Sequence, residues 1–415
     1  MFPKMISLLG LAAFIALGWL LSNNRRRFPW RTVLWGLGLQ FAFAIFILKT
    51  PLGEGIFQKA TDLVGQLNLY ALEGAKMVFG PLADSAKLDA SFGKGSGVFA
   101  VLIAATIILI SALSALLYHW GVLQKIVAGM AWVMMRTMRT SGSESLAGAS
   151  NIFLGQTEAA LLVKPYIPKM TASEIMALMT AGMATIATGV MVVYPKLGLD
   201  AGHILTASVL SAPAALLVSK IMFPEIERSE TAAGAPMKVE KTDANSLDSL
   251  CRGTSEGVML AINVMGMLIA FVAVVALANA VCGAAQGAFG VAPENQFTLQ
   301  TLLGHMNAPF AWLMGVPWKD CTLVGQALGE RIVLNEFIGY ISLSKSIATL
   351  DPRSVTIATY ALCGFANFAS IAIQIGGIGA MAPTRRGDLA RLGFRAMIAG
   401  LLACYITATI AGILI

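Results

Sequence analysis

The sequence predicts an all-α polytopic membrane protein, and three observations carry that reading. Only 12% of the 415 residues are charged, where a soluble domain carries about 25%. The chain is 57% hydrophobic, with a mean hydropathy of +0.75. Its apolar residues fall in long uncharged runs, each able or nearly able to cross about 30 Å of hydrocarbon as a helix. So few charges cannot cover a water-facing surface, which excludes an ordinary soluble enzyme, a disordered chain and a DNA-binding domain. The net charge of +7 does not point to nucleic acid, because helical membrane proteins collect Lys and Arg on their cytoplasmic side. The expected partner is the lipid bilayer.

The elements follow in chain order. Residues 5–22 are apolar and precede Arg25, Arg26 and Arg27. A secretory signal has its charges first, so this is read as a retained helix. Further runs lie at 32–48, 95–118, 257–281, 354–384 and 396–415. Two more, 175–195 and 201–219, are apolar but carry Gly, Pro, Thr and Ser. Eight spans are expected. Residues 50–94 contain Glu54, Asp62, Glu73, Asp84 and Asp89; they are too polar to span and predict interfacial amphipathic helices. Residues 119–140, with Trp120, Trp132, Arg136 and Arg139, are read the same way. Residues 225–252 are a linker with no assigned fold. The five cysteines have no C-x-x-C spacing and His119, His203 and His305 are far apart, so buried thiols are expected, with no disulfide, no metal cluster and no organic cofactor.

Residues 143–163 and 321–344 are as long as a span but have Glu158, or Glu330, Arg331 and Glu336, in the middle. Lipid-exposed helices do not carry such groups at that depth. Re-entrant helical hairpins, with polar tips buried in protein, are expected instead. With the N-terminus outside, this arrangement puts the basic segments near 25–31, 164–169 and 385–395 on the inside, as the positive-inside rule requires. Hairpin, span, span then occurs twice, at 143–219 and 321–415, with the copies inverted. Inverted repeats with interrupted helices are how many secondary transporters build a site at mid-membrane. The expected division is 1–142 as scaffold, 143–222 as the first half of a transport domain, 223–320 as linker and scaffold, and 321–415 as the second half.

Three motifs carry the chemistry. The first is N-I-F-L-G-Q-T-E-A at 151–159, where an amide, a hydroxyl and a carboxylate stand together at a hairpin tip and can meet the donors and acceptors of a planar heterocycle. The second is G-E-R-I-V-L-N-E-F at 329–337. The third is C-G-F-A-N-F-A-S at 363–370, in which Asn367 and Ser370 are spaced to share one helix face. With M-T-A-S-E-I at 170–175, G-M-A-T-I-A at 182–187 and A-L-C-G-F-A-N-F-A-S-I-A-I-Q-I-G-G at 361–377, the chain resembles the concentrative nucleoside transporter family over roughly residues 95–400.

The resemblance implies eight spans, two re-entrant hairpins and interfacial helices, assembled as a homotrimer in which a transport domain moves elevator-fashion on a scaffold. It implies cation-driven nucleoside uptake across the bacterial inner membrane. It assigns the nucleobase to Gln156, Thr157 and Glu158, with Val190 as a wall. The ribose falls to Glu336, and Phe365, Asn367 and Ser370 complete the site. A sodium ion would be held by the side chains of Asn151 and Thr185 and the carbonyls of Leu154 and Ile186. The chain departs from the family pattern at Ala160, where proline is common, and at Thr188, where glycine is usual. Arg331 is left as structural. Proton coupling, or carriage of another small polar solute, stands as the alternative. Carboxylates at both tips disfavour an anionic solute, and no H-E-x-x-H, G-x-S-x-G or T-V-G-Y-G motif supports an enzyme or a channel.

Overall fold

The computed structural model describes residues 2–93, 98–232, 234, 243–292 and 296–415. Among these residues every regular element is a helix. The chain begins with α1 (Phe2–Leu20), α2 (Trp30–Lys49) and α3 (Pro51–Phe79). Thr50 separates the last two: its hydroxyl accepts the Gly53 N–H, and Pro51 takes the first helical position, where its missing N–H costs nothing. The segment expected to hold interfacial helices is thus mostly one amphipathic helix, followed by the short α4 (Ser85–Phe92). Then come α5 (Phe99–His119) and α6 (Val122–Met138).

The first hairpin is α7 (Gly142–Ser150) and α8 (Glu158–Val163); α9 (Ala172–Ala184), α10 (Thr188–Met191) and α11 (Ala201–Met222) follow. α12 (Ser246–Ala288) and α13 (Leu299–Leu313) connect the halves. The second half is α14 (Cys321–Val333), α15 (Glu336–Ser346), α16 (Pro352–Leu362), α17 (Phe368–Met381) and α18 (Arg386–Leu414). Among the described residues, seven segments are long and apolar enough to cross a membrane. The run 354–384, expected as an interrupted span, is two shorter helices broken at 363–367. Asn367 makes the break by capping α17 with its own side chain.

The expected linker is docked at one end and helical at the other. Gly142 N–H donates to the Thr231 carbonyl at 2.9 Å, and Ser229 Oγ donates to Glu174 at 2.6 Å. α12 already begins at Ser246. Residues 235–242, the centre of that linker, and Lys94 lie outside the described residues.

α1 and α2 pack on α11 and α18, while α5 and α12 lie along one another. The apolar window of α12 is only 11% buried, against 89% for α11. That bare surface corrects the expectation for the cysteines. All five are free, and Cys321, Cys363 and Cys404 are buried, but Cys251 and Cys282 are exposed on α12.

The two halves repeat each other down to their ties. In the first, the residue capping the hairpin, Ser141, donates from Oγ to Glu174 in the first turn of α9 at 2.5 Å. In the second, Ser354 in the first turn of α16 donates to Asp320, the residue just before the hairpin, at 2.6 Å. Hydroxyl and carboxylate have changed places. At the neighbouring position, Lys220 near the end of α11 reaches Ser173 Oγ at 2.8 Å and Glu144 at 2.6 Å. Its counterpart runs the other way: Arg353, at the start of α16, reaches the Gly412 carbonyl in α18 at 2.6 Å.

Candidate functional site

Helix starts put both acidic tip residues where they are. α8 begins at Glu158, whose carboxylate turns back to accept the Gly155 N–H at 2.9 Å. α15 begins at Glu336 because Asn335 caps it, its Oδ1 accepting the Ile338 N–H at 3.0 Å. A helix N-terminus favours negative charge by roughly 0.3–1 kcal/mol at exposed sites and up to about 2 in partly buried ones. That offsets part of the several kcal/mol a buried carboxylate costs. Glu336 is buried and its carboxylate accepts a hydrogen bond from Tyr194 Oη at 3.2 Å.

The two helix breaks meet. α9 stops at Ala184 and α16 at Leu362, and the Phe365 N–H donates to the Thr185 carbonyl at 3.2 Å. Asn367 does not share a helix face with Ser370, as the spacing suggested; it is the residue before the helix, and its Oδ1 accepts the Ser370 N–H at 2.9 Å. Gln156 arrives from the first hairpin and its Nε2 donates to Ser370 Oγ at 3.2 Å. Thr157 packs against Gly377, where a Cβ would lie 2.4 Å from its methyl carbon. Gln156, Thr157, Ser370 and Asn367 therefore form one connected group across the two halves. Phe365 is half-buried beside it and Val190 is buried on α10. Glu336 is joined to the first half through Tyr194, not by a direct bond to Asn367 or Gln156.

The residues expected to hold sodium offer oxygen. Asn151 Oδ1 is buried with no hydrogen-bond partner. Thr185 Oγ1 donates to the Ala181 carbonyl at 2.9 Å, which commits its proton to its own helix and leaves its lone pairs. Leu154 and Ile186 stand in the non-helical tip and break, where carbonyls are not taken up by a helix ladder. A neutral oxygen set of this kind fits a monovalent hard cation. Thr188 donates to the Phe153 carbonyl at 2.6 Å, so this departure from the family pattern ties the hairpin tip to α10.

A cavity of about 800 Å³ opens between the α5–α12 pair and the first hairpin. Ser111, Tyr118 and Arg252 line one wall; Leu154, Glu158 and Thr188 line the other. Glu158 is exposed into it, whereas Gln156, Glu336 and Asn367 are not on its wall. Arg331 is fully buried, donates to the Ala361 carbonyl and lies 5.6 Å over the Tyr405 ring. Among the described residues it pairs with neither Glu158 nor Glu336.

The sequence reading missed Tyr194 and Gln374. Tyr194 sits in an apolar run, V-V-Y-P, and its phenol had no visible partner. Gln374 lies inside a quoted motif, and a lone amide in an apolar helix was the signal available.

A family described as "Na+ dependent nucleoside transporter C-terminus" matches residues 203–412, and its N-terminal counterpart matches 9–82. A third, described as "Nucleoside recognition", matches 100–199. The chain belongs to the concentrative nucleoside transporter family. It is thus a membrane transporter and not an enzyme. An uncharacterized transporter of Haemophilus influenzae is 41% identical over 99% of this chain and 97% of that protein. The sodium/nucleoside cotransporter 1 of Mus musculus is 36% identical over 99% of this chain but only 64% of its own length. Among solved structures, CNTnw in an inward-facing substrate-bound state superposes with a TM-score of 0.92 at 37% identity, covering 99% of this chain and 97% of that one. A doubly substituted CNTnw in an outward-facing state superposes with a TM-score of 0.94 at the same identity, covering 99% and 98%.

Proposed function

We propose that this transporter couples the inward movement of Na+ to nucleoside uptake across the bacterial inner membrane. The observation that supports it most is the joining of the two half-sites: the Gln156 amide reaches Ser370 beside the Asn367 break, in a chain of this family. In this reading Gln156, Thr157 and Glu158 meet the nucleobase, with Val190 walling it. Glu336 accepts from ribose hydroxyls, and Phe365, Asn367 and Ser370 complete the pocket. Asn151 and Thr185, with the carbonyls of Leu154 and Ile186, hold the ion.

The packing supports a narrower scaffold than residues 1–142 and 223–320. α5 and α12 serve as that scaffold, and α1 and α2 travel with α11 and α18, on which they pack. The bare face of α12 suits a contact between copies, and a homotrimer is the assembly we infer. The cavity between the pair and the first hairpin is then the path by which nucleoside leaves toward the side of Lys164 and Arg252 as the transport unit moves in an elevator cycle.

The deciding experiment is uptake of labelled uridine by purified protein in liposomes, with an inward sodium gradient, with an inward proton gradient, and with neither. Sodium-driven accumulation is expected. Accumulation that ignores sodium and follows the proton gradient overturns the ion assignment, and failure to transport any nucleoside overturns the substrate.

A further inference from the structure

Gln374 is fully buried in α17, one turn beyond Ser370. Its Nε2 donates to the Met179 carbonyl at 3.1 Å and to Gln156 Oε1 at 3.0 Å. The oxygen and nitrogen of a side-chain amide are alike in shape, so their orientation has to be read from the partners. Here one partner settles the chain. The Met179 carbonyl can only accept, so the Gln374 atom facing it is the NH2. The second proton of that NH2 points at Gln156, so the atom it meets there is the Gln156 oxygen. The Gln156 NH2 is left facing Ser370 and the space beside the Asn367 break.

We propose that Gln374 is a positioning residue that locks the Gln156 amide with its N–H groups toward the nucleobase, so that this site reads the base by donating to a carbonyl or unprotonated ring nitrogen. The proposal rests on the reading of Gln156 as base-facing given above. Packing alone does not account for Gln374. Its Oε1 is buried without a partner, a cost that Leu or Met of similar size would avoid. The neighbouring helix also makes room for the pair: a Cβ on Gly182 in α9 would lie 2.7 Å from Gln374 Nε2 and 2.9 Å from Gln156 Cβ. The lock thus runs from α9 through α17 to the first hairpin and spans both halves.

The test is inhibition of labelled uridine uptake by two series of compounds. One varies the base: uridine, cytidine and a phenyl riboside that has no acceptor on its ring. The other varies the sugar: 2′-deoxyuridine and 3′-deoxyuridine. In Gln374→Met, the preference for uridine over the phenyl riboside is expected to fall about two- to tenfold, the worth of one neutral hydrogen bond, while the sugar ranking holds. Gly182→Ala, which pushes on the same amide, is expected to act in the same direction. Gln156→Ala with Gln374→Met is expected to lose no more than Gln156→Ala alone, as members of one unit do. A loss that is equal across both series, in both single variants, makes Gln374 structural and overturns the proposal. If Gln156→Ala itself leaves the base preference intact, the base-facing reading fails and the proposal with it. If Gln156→Ala moves the preference and Gln374→Met does not, only the proposal fails.

Discussion

The two hairpins have the same place in the fold and opposite characters. The first has a long non-helical tip, 151–157, whose Gln156 amide is bonded on both sides by protein. The second turns at Leu334 and Asn335 and presents Glu336, for which the structure gives a single side-chain partner, Tyr194. One tip is fixed before anything binds; the other keeps acceptor capacity in reserve. The anchors differ in the same way. At the base of the first half an ammonium is buried between carboxylates, while at the base of the second a guanidinium rests largely on backbone carbonyls.

The anchors give the largest expected difference. Lys220→Met leaves Glu144, which is buried, without its cation. Breaking a buried pair by removing one partner costs about 3–5 kcal/mol. Arg353→Met strands only the Gly315 and Gly412 carbonyls, since the Ser7 hydroxyl keeps the Met314 carbonyl, and is expected to cost less. Thermal unfolding in detergent checks the order. Equal losses would mean that the swap of partners between the halves has no energetic consequence.

The tips come next. A hydrogen bond to a charged group is worth roughly 1.5–3 kcal/mol, and a neutral one about 0.5–1.5. Glu336→Gln keeps the shape and removes the charge. It is expected to weaken uridine binding about ten- to a hundredfold and to blunt discrimination against deoxyribose. Gln156→Ala is expected to cost less and to change base preference instead. Binding measured by calorimetry on both variants sharpens the contrast. If Glu336→Gln alters only base preference, the sugar is not at the second hairpin.

A smaller effect separates the two ion candidates. Asn151 Oδ1 has no partner to lose, whereas the Thr185 hydroxyl is partly committed to Ala181. Both Asn151→Ala and Thr185→Ala are expected to raise the sodium concentration for half-maximal uptake, Asn151→Ala the more. Sodium titrations of uridine uptake decide this. The opposite order would point to Thr185 as the stronger ligand.

Much of this was legible from residue order. Asn335 before Glu336-Phe337 is a cap signal, and the start of α15 follows from it; Asn367 stands the same way before Phe368, but its spacing to Ser370 suggested a shared helix face instead. The hairpins were visible because Glu158 and Glu336 have no place on a lipid-facing helix. What stayed hidden depended on distant pairing. Ser141 and Glu174 in one half, and Asp320 and Ser354 in the other, are far apart in the chain, and only the fold joins them. Tyr194 and Gln374 lie in apolar runs, where only their partners reveal a role. The packing of α1 and α2 on α11 and α18 was hidden for a further reason: an apolar helix announces that it is buried, not against what.

The smallest expected effect concerns the contact between the first half and α5. Lys196, in the turn Tyr194–Leu197, donates from Nζ to the Leu102 carbonyl at 2.8 Å and to Thr106 Oγ1 at 2.5 Å. Thr106 in turn donates to Asn68 on α3 at 2.9 Å. Burial pushes the Lys196 pKa down to about 8, while a solvated lysine titrates near about 10.4. Below about pH 8 the amine is charged whether or not the contact is made, and closing the contact must bury that charge. Between about 8 and 10.4 the closed form has shed its proton and the open form keeps it. The penalty shrinks as pH rises through that window and is gone above it, so alkaline conditions favour the closed contact. If that contact must open in each cycle, uptake at a fixed sodium gradient is expected to slow modestly from about pH 7.5 to 9.5. Lys196→Arg remains charged across that range and Lys196→Met never carries charge, so both are expected to give a flat profile. An identical fall in wild type and Lys196→Arg would move the pH dependence to another group. It would leave the Lys196 contact as an ordinary polar tie, no different in kind from those at the bases of the hairpins.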